Sequence, residues 1–195
     1  MGRRLCGVAV MLLLVYMSLP SEAQEVRKIQ DNSFLVEEAY NQEDGVIQHI
    51  QAFQYMKGSN WAYSFTQEWP VPTQKHQLSY TIPYLRLDDP ESGTGFGDVL
   101  LNCRYQAIFK GPVAFAPRIS LVTPTGDHER GLGNGAWGLQ GNLPLSLELR
   151  ERWVTHWNLG ATFIPGAKGR DGSQTDTAGF NYGASIIYLV SDHCE

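Results

Sequence analysis

Three successive segments of this chain alternate between apolar and polar residues, and no other feature limits its possible folds as strongly. The segments are 98–108, 113–121 and 137–147. In each one the odd-numbered positions are mainly apolar, and the even-numbered positions are mainly polar or small. Side chains of a β-strand alternate between its two faces, so a period of two predicts strands with one wet face and one apolar face.

Five further segments have strand character and bring the predicted total to eight strands. They are 46–56, 61–69, 77–87, 153–163 and 178–190. Eight strands are enough to close the smallest barrels. Strands of about ten residues with alternating hydrophobicity predict an all-β fold, an antiparallel up-and-down transmembrane β-barrel. A soluble, secreted β-sandwich has the same alternation and is the alternative fold.

Aromatic residues and connection lengths both favour the barrel. Aromatic side chains near predicted strand ends are typical of interfacial girdles, and the candidates are Trp61, Trp69, Tyr84, Trp137, Trp153 and Trp157. The connections after Met56, Ile108 and Leu147 are short, whereas 88–97, 123–136 and 165–177 are longer and rich in Gly and Asp. Long loops at one end and tight turns at the other are typical of outer-membrane barrels.

The N-terminus predicts export from the cytoplasm. Arg3 and Arg4 precede an apolar run, 8–17, that is too short for a comfortable membrane span. Ser21-Glu22-Ala23 resembles a signal-peptidase site, so residues 1–23 are interpreted as a signal peptide cleaved near Ala23. An N-terminal segment, 24–45, then precedes a barrel domain, 46–195. Within that segment, 35–40 is either a short helix or a periplasmic plug.

Charge and cysteine content exclude several functions. The chain has 15 Lys and Arg against 20 Asp and Glu, for a net charge of −5. Loss of the signal peptide removes two arginines and Glu22, which leaves −6 and argues against a nucleic-acid partner. Cys103 and Cys194 are too far apart to indicate a disulfide framework. The cysteines and histidines lack metal-ligand spacing, so no metal or cofactor is predicted.

Polar residues on the inner face of the predicted strands are the candidates for lining a lumen. Such groups either line a water-filled pore and set its selectivity, or form a packed polar interior. The candidates are Asp98, Asn102, Arg104, Arg118, Gln140, Asn142 and Glu148.

Three glycine-containing motifs give a resemblance to a known family. They are Gly95-Phe96-Gly97-Asp98, the run from Leu121 to Asp127, and Gly131-Leu132-Gly133-Asn134-Gly135. Together they resemble the outer-membrane barrel family named for the meta-pathway of phenol degradation, over about 45–190. The resemblance implies a larger barrel than eight strands, and hence a C-terminally incomplete chain. It also implies a role in uptake of aromatic compounds, but it carries no functional residues onto this sequence.

The loop motif itself is interpreted as structural. Glycines allow positive φ and close packing, and Thr-Pro-Thr-Gly is a turn signature. A calcium site or a ligand-gating loop is the functional alternative. The residues concerned are Pro124, Thr125, Gly126, Asp127, Gly131, Gly133 and Gly135.

The sequence therefore predicts a non-enzymatic, porin-like channel of a Gram-negative outer membrane. It would pass small solutes, including aromatic or hydrophobic ones. Its expected partners are outer-membrane lipid and the barrel-assembly machinery. The alternatives are a secreted soluble ligand-binding protein and a barrel lipid hydrolase. Candidate hydrolase residues are His49, His76, His156, Ser79, Ser120 and Ser146, but no nucleophile-elbow motif is present.

Overall fold

Strands and their connections make up nearly all of the computed structural model, which describes residues 36–88, 93–188 and 190. The predicted signal peptide and residues 24–35 lie outside the described residues, as do 89–92 and Cys194. Twelve strands form one sheet. They are β1 (Gln48–Tyr55), β2 (Trp61–Trp69), β3 (His76–Arg86), β4 (Thr94–Phe96), β5 (Leu100–Tyr105), β6 (Ile108–Lys110), β7 (Val113–Phe115), β8 (Arg118–Val122), β9 (Gly138–Asn142), β10 (Leu145–Arg150), β11 (Trp153–Lys168) and β12 (Gln174–Tyr188).

The sheet is an antiparallel meander in which each predicted strand pairs with its neighbours in the chain. Three of the eight predicted strands are each divided in two, giving the pairs β5 with β6, β7 with β8, and β9 with β10. Pro117 and Pro144 lie at two of these breaks, because proline has no N–H for the ladder. Hydrogen bonds bridge the breaks, since Tyr105 N donates to Pro117 O (3.0 Å) and Ala116 N to Pro144 O (3.2 Å).

Two connections differ from those predicted. The predicted loop 165–177 is mostly strand, because β11 reaches Lys168 and β12 starts at Gln174. A β-bulge between Ile164 and Ala167 contains Gly166, whose φ of 61° lets the strand pass through Pro165-Gly166 instead of turning. In a meander, alternate connections share an end, so the short turn 56–60 lies at the same end as the long loops 87–99 and 123–137.

Apolar side chains are on the outside of this sheet and polar ones are inside. Leu101 and Ile119 are 48% and 65% exposed, whereas their chain neighbours Asn102 and Ser120 are 5% and 0% exposed. The predicted orientation of the three alternating segments therefore agrees with the structure. Among the described residues, sixteen buried side chains are polar or charged and nine are hydrophobic. A water-soluble domain has the opposite distribution.

Aromatic side chains form a row across the outer surface near the long loops. Phe53, Trp61, Tyr84 and Phe96 come from four neighbouring strands, with successive ring centroids 5.9, 5.8 and 5.0 Å apart. Near the other end, the rings of Trp153 and Tyr188 are 4.6 Å apart. Aromatic side chains towards both ends of the strands are typical of outer-membrane barrels. In the described part of the chain, no helix has the length and hydropathy needed to cross a membrane.

The sheet is strongly curved. A cavity of about 310 Å³ on its polar face is lined by Ile50 of β1 and also by Asn181 of β12. These are the first and last strands of the meander, and among the described strands each pairs with one neighbour only, β1 with β2 and β12 with β11. The sheet therefore bends far enough for its first and last strands to border one cavity.

Candidate functional site

A short extended segment before the first strand, 36–42, crosses the concave polar face of the sheet. We call it the interior segment. Ala39 and Tyr40 are buried in it and pack with Ala114 and Ala116 of the sheet. The sequence left two structures open for 35–40, a helix or a plug. The described part of that range is extended and lies inside the curved sheet, so its position is that of a plug.

Side chains of the sheet bind the backbone of the interior segment at several positions. Asn158 accepts from Glu37 N (2.8 Å) and donates to Glu37 O (2.6 Å). Gln106 accepts from Asn41 N (3.0 Å) and donates to Ala39 O (2.8 Å). Each amide side chain thereby supplies a donor and an acceptor, which is what an adjacent strand would supply.

Two further side chains complete this set of backbone contacts. Ser146 Oγ accepts from Ala39 N at 2.9 Å. Gln77 Oε1 accepts from Gln42 N at 2.9 Å. Buried backbone groups are costly to leave unpaired, and these side chains pair the backbone groups that they contact between 37 and 42.

Arg104 binds the interior segment at several points. It is buried, and its guanidinium donates to Glu38 O (3.1 Å), Tyr40 O (2.8 Å) and Asn41 Oδ1 (3.1 Å). A guanidinium has five N–H donors and no acceptor, so it can satisfy several carbonyl oxygens at once. Arg104 therefore fixes the interior segment to β5.

The carboxylate of Glu37 is held by three sheet residues at the edge of the cavity. Its Oε1 lies 3.4 Å from Arg104 Nη1 and 3.3 Å from Arg118 Nη1. Its Oε2 accepts from Asn142 Nδ2 at 2.6 Å. We call Arg104, Arg118 and Asn142 the carboxylate cradle. The cavity beside it is lined by Val36, Glu37, Ile50, Thr66, Glu68, Thr81, Arg104, Arg118, Gln140, Asn142, Asn158 and Asn181.

The predicted lumen-lining residues fall into two groups. Arg104, Arg118, Gln140 and Asn142 line the cavity. The other three lie away from it. Asn102 is buried on the same face and donates to Ser79 Oγ (3.1 Å), Asp98 lies in the loop before β5, and Glu148 is half-buried on β10 near the 111–112 turn.

Three side chains that bind the interior segment, Gln77, Gln106 and Asn158, were not among the candidates from sequence, and Ser146 was a candidate only as a hydrolase residue. Gln77, Ser146 and Asn158 occupy inward positions of β3, β10 and β11, and Gln106 is buried on the same face in the break between β5 and β6. What these residues share in the sequence is a hydrogen-bonding side chain at an inward position of a predicted strand. That signal does not reveal the partner, because the partner is a distant segment with no periodicity of its own.

The candidate hydrolase residues are dispersed, except for one pair. Ser146 Oγ and His156 Nδ1 are 2.7 Å apart, and both side chains are fully buried. Ser146 also accepts from the interior segment, and the ring of Tyr40 packs edge-on against His156 at 6.1 Å. Nε2 of His156 has no hydrogen-bond partner among the described residues. The geometry thus gives this pair a clear structural role under the interior segment.

The loop motif joins the two long loops to each other. Asp98 accepts from Gly126 N (2.9 Å), Asn134 N (2.7 Å) and Asn134 Nδ2 (2.8 Å). Thr125 Oγ1 accepts from Val99 N (2.8 Å) and donates to the Gly97 carbonyl (3.2 Å). The loop 123–137 is therefore tied to the chain just before β5.

Two glycines of the motif are required by close backbone packing. A methyl group on Gly133 would lie 2.6 Å from Gly126 Cα and 2.5 Å from Asp98 Oδ1. One on Gly126 would lie 2.5 Å from the Leu132 carbonyl oxygen. Gly131 and Gly135 have φ of 68° and 57°, a region that favours glycine.

Asp127, the remaining polar motif residue, caps a local turn by accepting from Glu129 N and Arg130 N at 3.1 and 3.2 Å. Pro124 lies half-buried in the same loop. Among the residues that the structure describes, no group of three His, Cys, Asp or Glu could hold a metal ion.

We expect Asp98→Ala to loosen the loop 123–137. Hydrogen bonds to a carboxylate contribute about 1.5–3 kcal/mol, and this one accepts three. Trypsin should then cut after Arg130 faster than in the wild type, as measured by mass spectrometry of the fragments. Asp171→Ala is the matched control, because Asp171 lies in the turn 169–173 at the same end. Equal cleavage rates for wild type and Asp98→Ala would contradict the proposed tie.

The chain matches one known protein family. A family model described as "Putative MetA-pathway of phenol degradation" matches residues 34–192. This match covers most of the chain, including the interior segment, every strand and both long loops. The protein is therefore a member of this phenol-degradation family, and the resemblance found in its motifs is confirmed. No protein of curated function matches the chain significantly.

Proposed function

We propose that this protein is a non-enzymatic outer-membrane channel for small solutes, inserted after a signal peptide is cleaved near Ala23. The observation that carries the proposal is the reversed polarity of the sheet, which has an apolar outer surface and a polar, cavity-containing interior. An apolar outer surface is stable against lipid, and a polar lumen serves passage of water-soluble molecules. Insertion would depend on the barrel-assembly machinery and on closure of the sheet.

Family membership supports an aromatic or hydrophobic solute. The family is described by a pathway of phenol degradation, and such a pathway needs small aromatic compounds to cross the outer membrane. A soluble ligand-binding role is the second candidate. It would leave Phe180, Tyr182 and Ile186 of β12 in water at 70%, 83% and 62% exposure, which is a large apolar surface for a monomer.

Membrane fractionation and bilayer recording test the proposal together. The protein should remain with the outer-membrane fraction after alkaline washing and should need detergent for extraction. Purified and reconstituted into planar bilayers, it should produce discrete conductance steps. Release without detergent would favour the soluble role. Insertion without conductance would favour a packed interior over a channel.

Ion selectivity should depend on Arg118, which lines the cavity. Charge in a narrow, partly desolvated path acts strongly on passing ions. Arg118→Gln should therefore shift the reversal potential under a salt gradient toward cation selectivity. Adding Arg104→Gln should increase that shift. Arg150→Gln is the control, because Arg150 is exposed at the end of β10 and lies outside the cavity. An unchanged reversal potential in a normally inserted Arg118→Gln variant would place the conducting path elsewhere.

A further inference from the structure

We propose that the carboxylate cradle is a binding site for the carboxylate of a small organic monoacid, and that Glu37 is an internal ligand occupying it. This inference rests on the proposed function in one respect, since the acid must reach the cavity from outside. The chemical class of the ligand follows from the residues of the cradle. Two guanidinium groups and one carboxamide converge on a single carboxylate, and guanidinium groups are well matched to carboxylate recognition.

The cradle has binding capacity that Glu37 does not use. The distances from Glu37 Oε1 to the two arginines, 3.3 and 3.4 Å, exceed the 2.7–2.9 Å typical of charge-assisted hydrogen bonds. The donor Arg118 Nε is buried and has no hydrogen-bond partner in the described structure. Because Glu37 is tethered through its own backbone, it cannot move freely to optimise these contacts. A free carboxylate has no such restraint.

The cavity next to the cradle sets the size and charge of the acid. Its volume of about 310 Å³ suits a compact molecule such as an acid with a single ring. Val36 and Ile50 contribute apolar surface for that ring. Apart from Glu37 and the cradle arginines, the charged residue of the lining is Glu68, which offers no cation to a second acidic group. The expected ligand is therefore a small monocarboxylate rather than a dicarboxylate.

Binding of such an acid would compete with Glu37. The interior segment would lose the contacts of its Glu37 side chain with β5, β8 and β9, while its backbone would stay bound to Asn158, Ser146 and Gln106. Occupancy of the cradle by an external acid would thus weaken one attachment of the plug. The channel would respond to the acids that it passes.

Equilibrium dialysis of benzoate against the detergent-purified protein tests this competition. Glu37→Gln removes the internal carboxylate that competes with benzoate. It should tighten benzoate binding on the order of tenfold, which corresponds to about 1.4 kcal/mol. Arg118→Gln should weaken it by a similar factor. Benzyl alcohol, the neutral analogue, should bind equally to all variants. Glu129→Gln is the control, because it removes the same charge from an exposed loop residue.

Equal benzoate affinity in the wild type, Glu37→Gln and Arg118→Gln would overturn the inference, and so would benzyl alcohol binding that follows the same variants. Folding of each variant is checked by heat-modifiable migration on gels. Conductance of the same preparations separates this inference from the channel proposal. Glu37-dependent benzoate binding by a non-conducting protein would support the binding site and contradict the channel proposal. Conductance without such binding would support the channel and contradict the binding site.

Discussion

Leu101→Arg should destabilise the membrane-inserted protein by about 2–4 kcal/mol if the site lies near the bilayer midplane. Leu101 is on the outer face of β5, in a central part of the sheet, and its side chain is 48% exposed. A guanidinium at this position would have to enter hydrocarbon or reach for a distant headgroup. The measurement is urea-induced unfolding from phospholipid vesicles, followed by tryptophan fluorescence.

Two variants control for effects that do not depend on the membrane. Leu101→Ala keeps the face apolar and should cost much less than the arginine substitution. Asn102→Ser, at the neighbouring inward position, loses the hydrogen bond to Ser79 Oγ and should cost about 0.5–1.5 kcal/mol. Equal losses for Leu101→Arg and Asn102→Ser would mean that the two faces have similar surroundings. That result would contradict the inside-out orientation.

Strand existence and side-chain direction could be predicted from sequence because both follow from a period of two. The segment 61–69 matches β2 at both ends, and odd-numbered positions of 98–108 face outward as expected. Alternation is a local property of the sequence and does not depend on which strand the segment pairs with. It therefore needs no knowledge of the tertiary structure.

Interruptions of the strands could not be predicted in the same way. Pro165-Gly166 has the composition of a turn, yet the structure uses it as a bulge within β11. Whether Pro165-Gly166 forms a turn or a bulge depends on whether β12 still pairs with β11 beyond Gly166. That pairing is a tertiary contact, which the local sequence does not determine. Pro117 and Pro144 likewise leave the strand direction unchanged, because hydrogen bonds from neighbouring strands bridge them.

The interior segment and its binding residues were the least predictable part of the site. Glu37 and Arg118 are separated by 81 positions, and nothing periodic connects them. The inner face was predicted to be polar, and four of the seven proposed lumen residues do line the cavity. The interior segment could not be predicted as their partner, because most of its contacts are hydrogen bonds from side chains of the sheet to its backbone, which place no demand on its sequence.

Arg104→Gln should have the second large effect, because it releases the interior segment. The guanidinium bonds two backbone carbonyls and one side chain of that segment and contacts Glu37. Breaking a buried, paired charge costs about 3–5 kcal/mol. The segment should then leave the lumen for much of the time. Single-channel conductance in planar bilayers should rise, and the segment should become sensitive to added protease.

Comparison with Arg118→Gln separates plug release from the simple loss of a lumen charge. Arg118 contacts the carboxylate of Glu37, whereas Arg104 also holds the backbone at Glu38 and Tyr40. Arg104→Gln should therefore increase conductance more than Arg118→Gln, although both remove one positive charge. Arg104→Lys keeps the charge but loses the planar fork of donors, so it should give an intermediate conductance. Equal conductance in the two glutamine variants would mean that the interior segment does not obstruct the path.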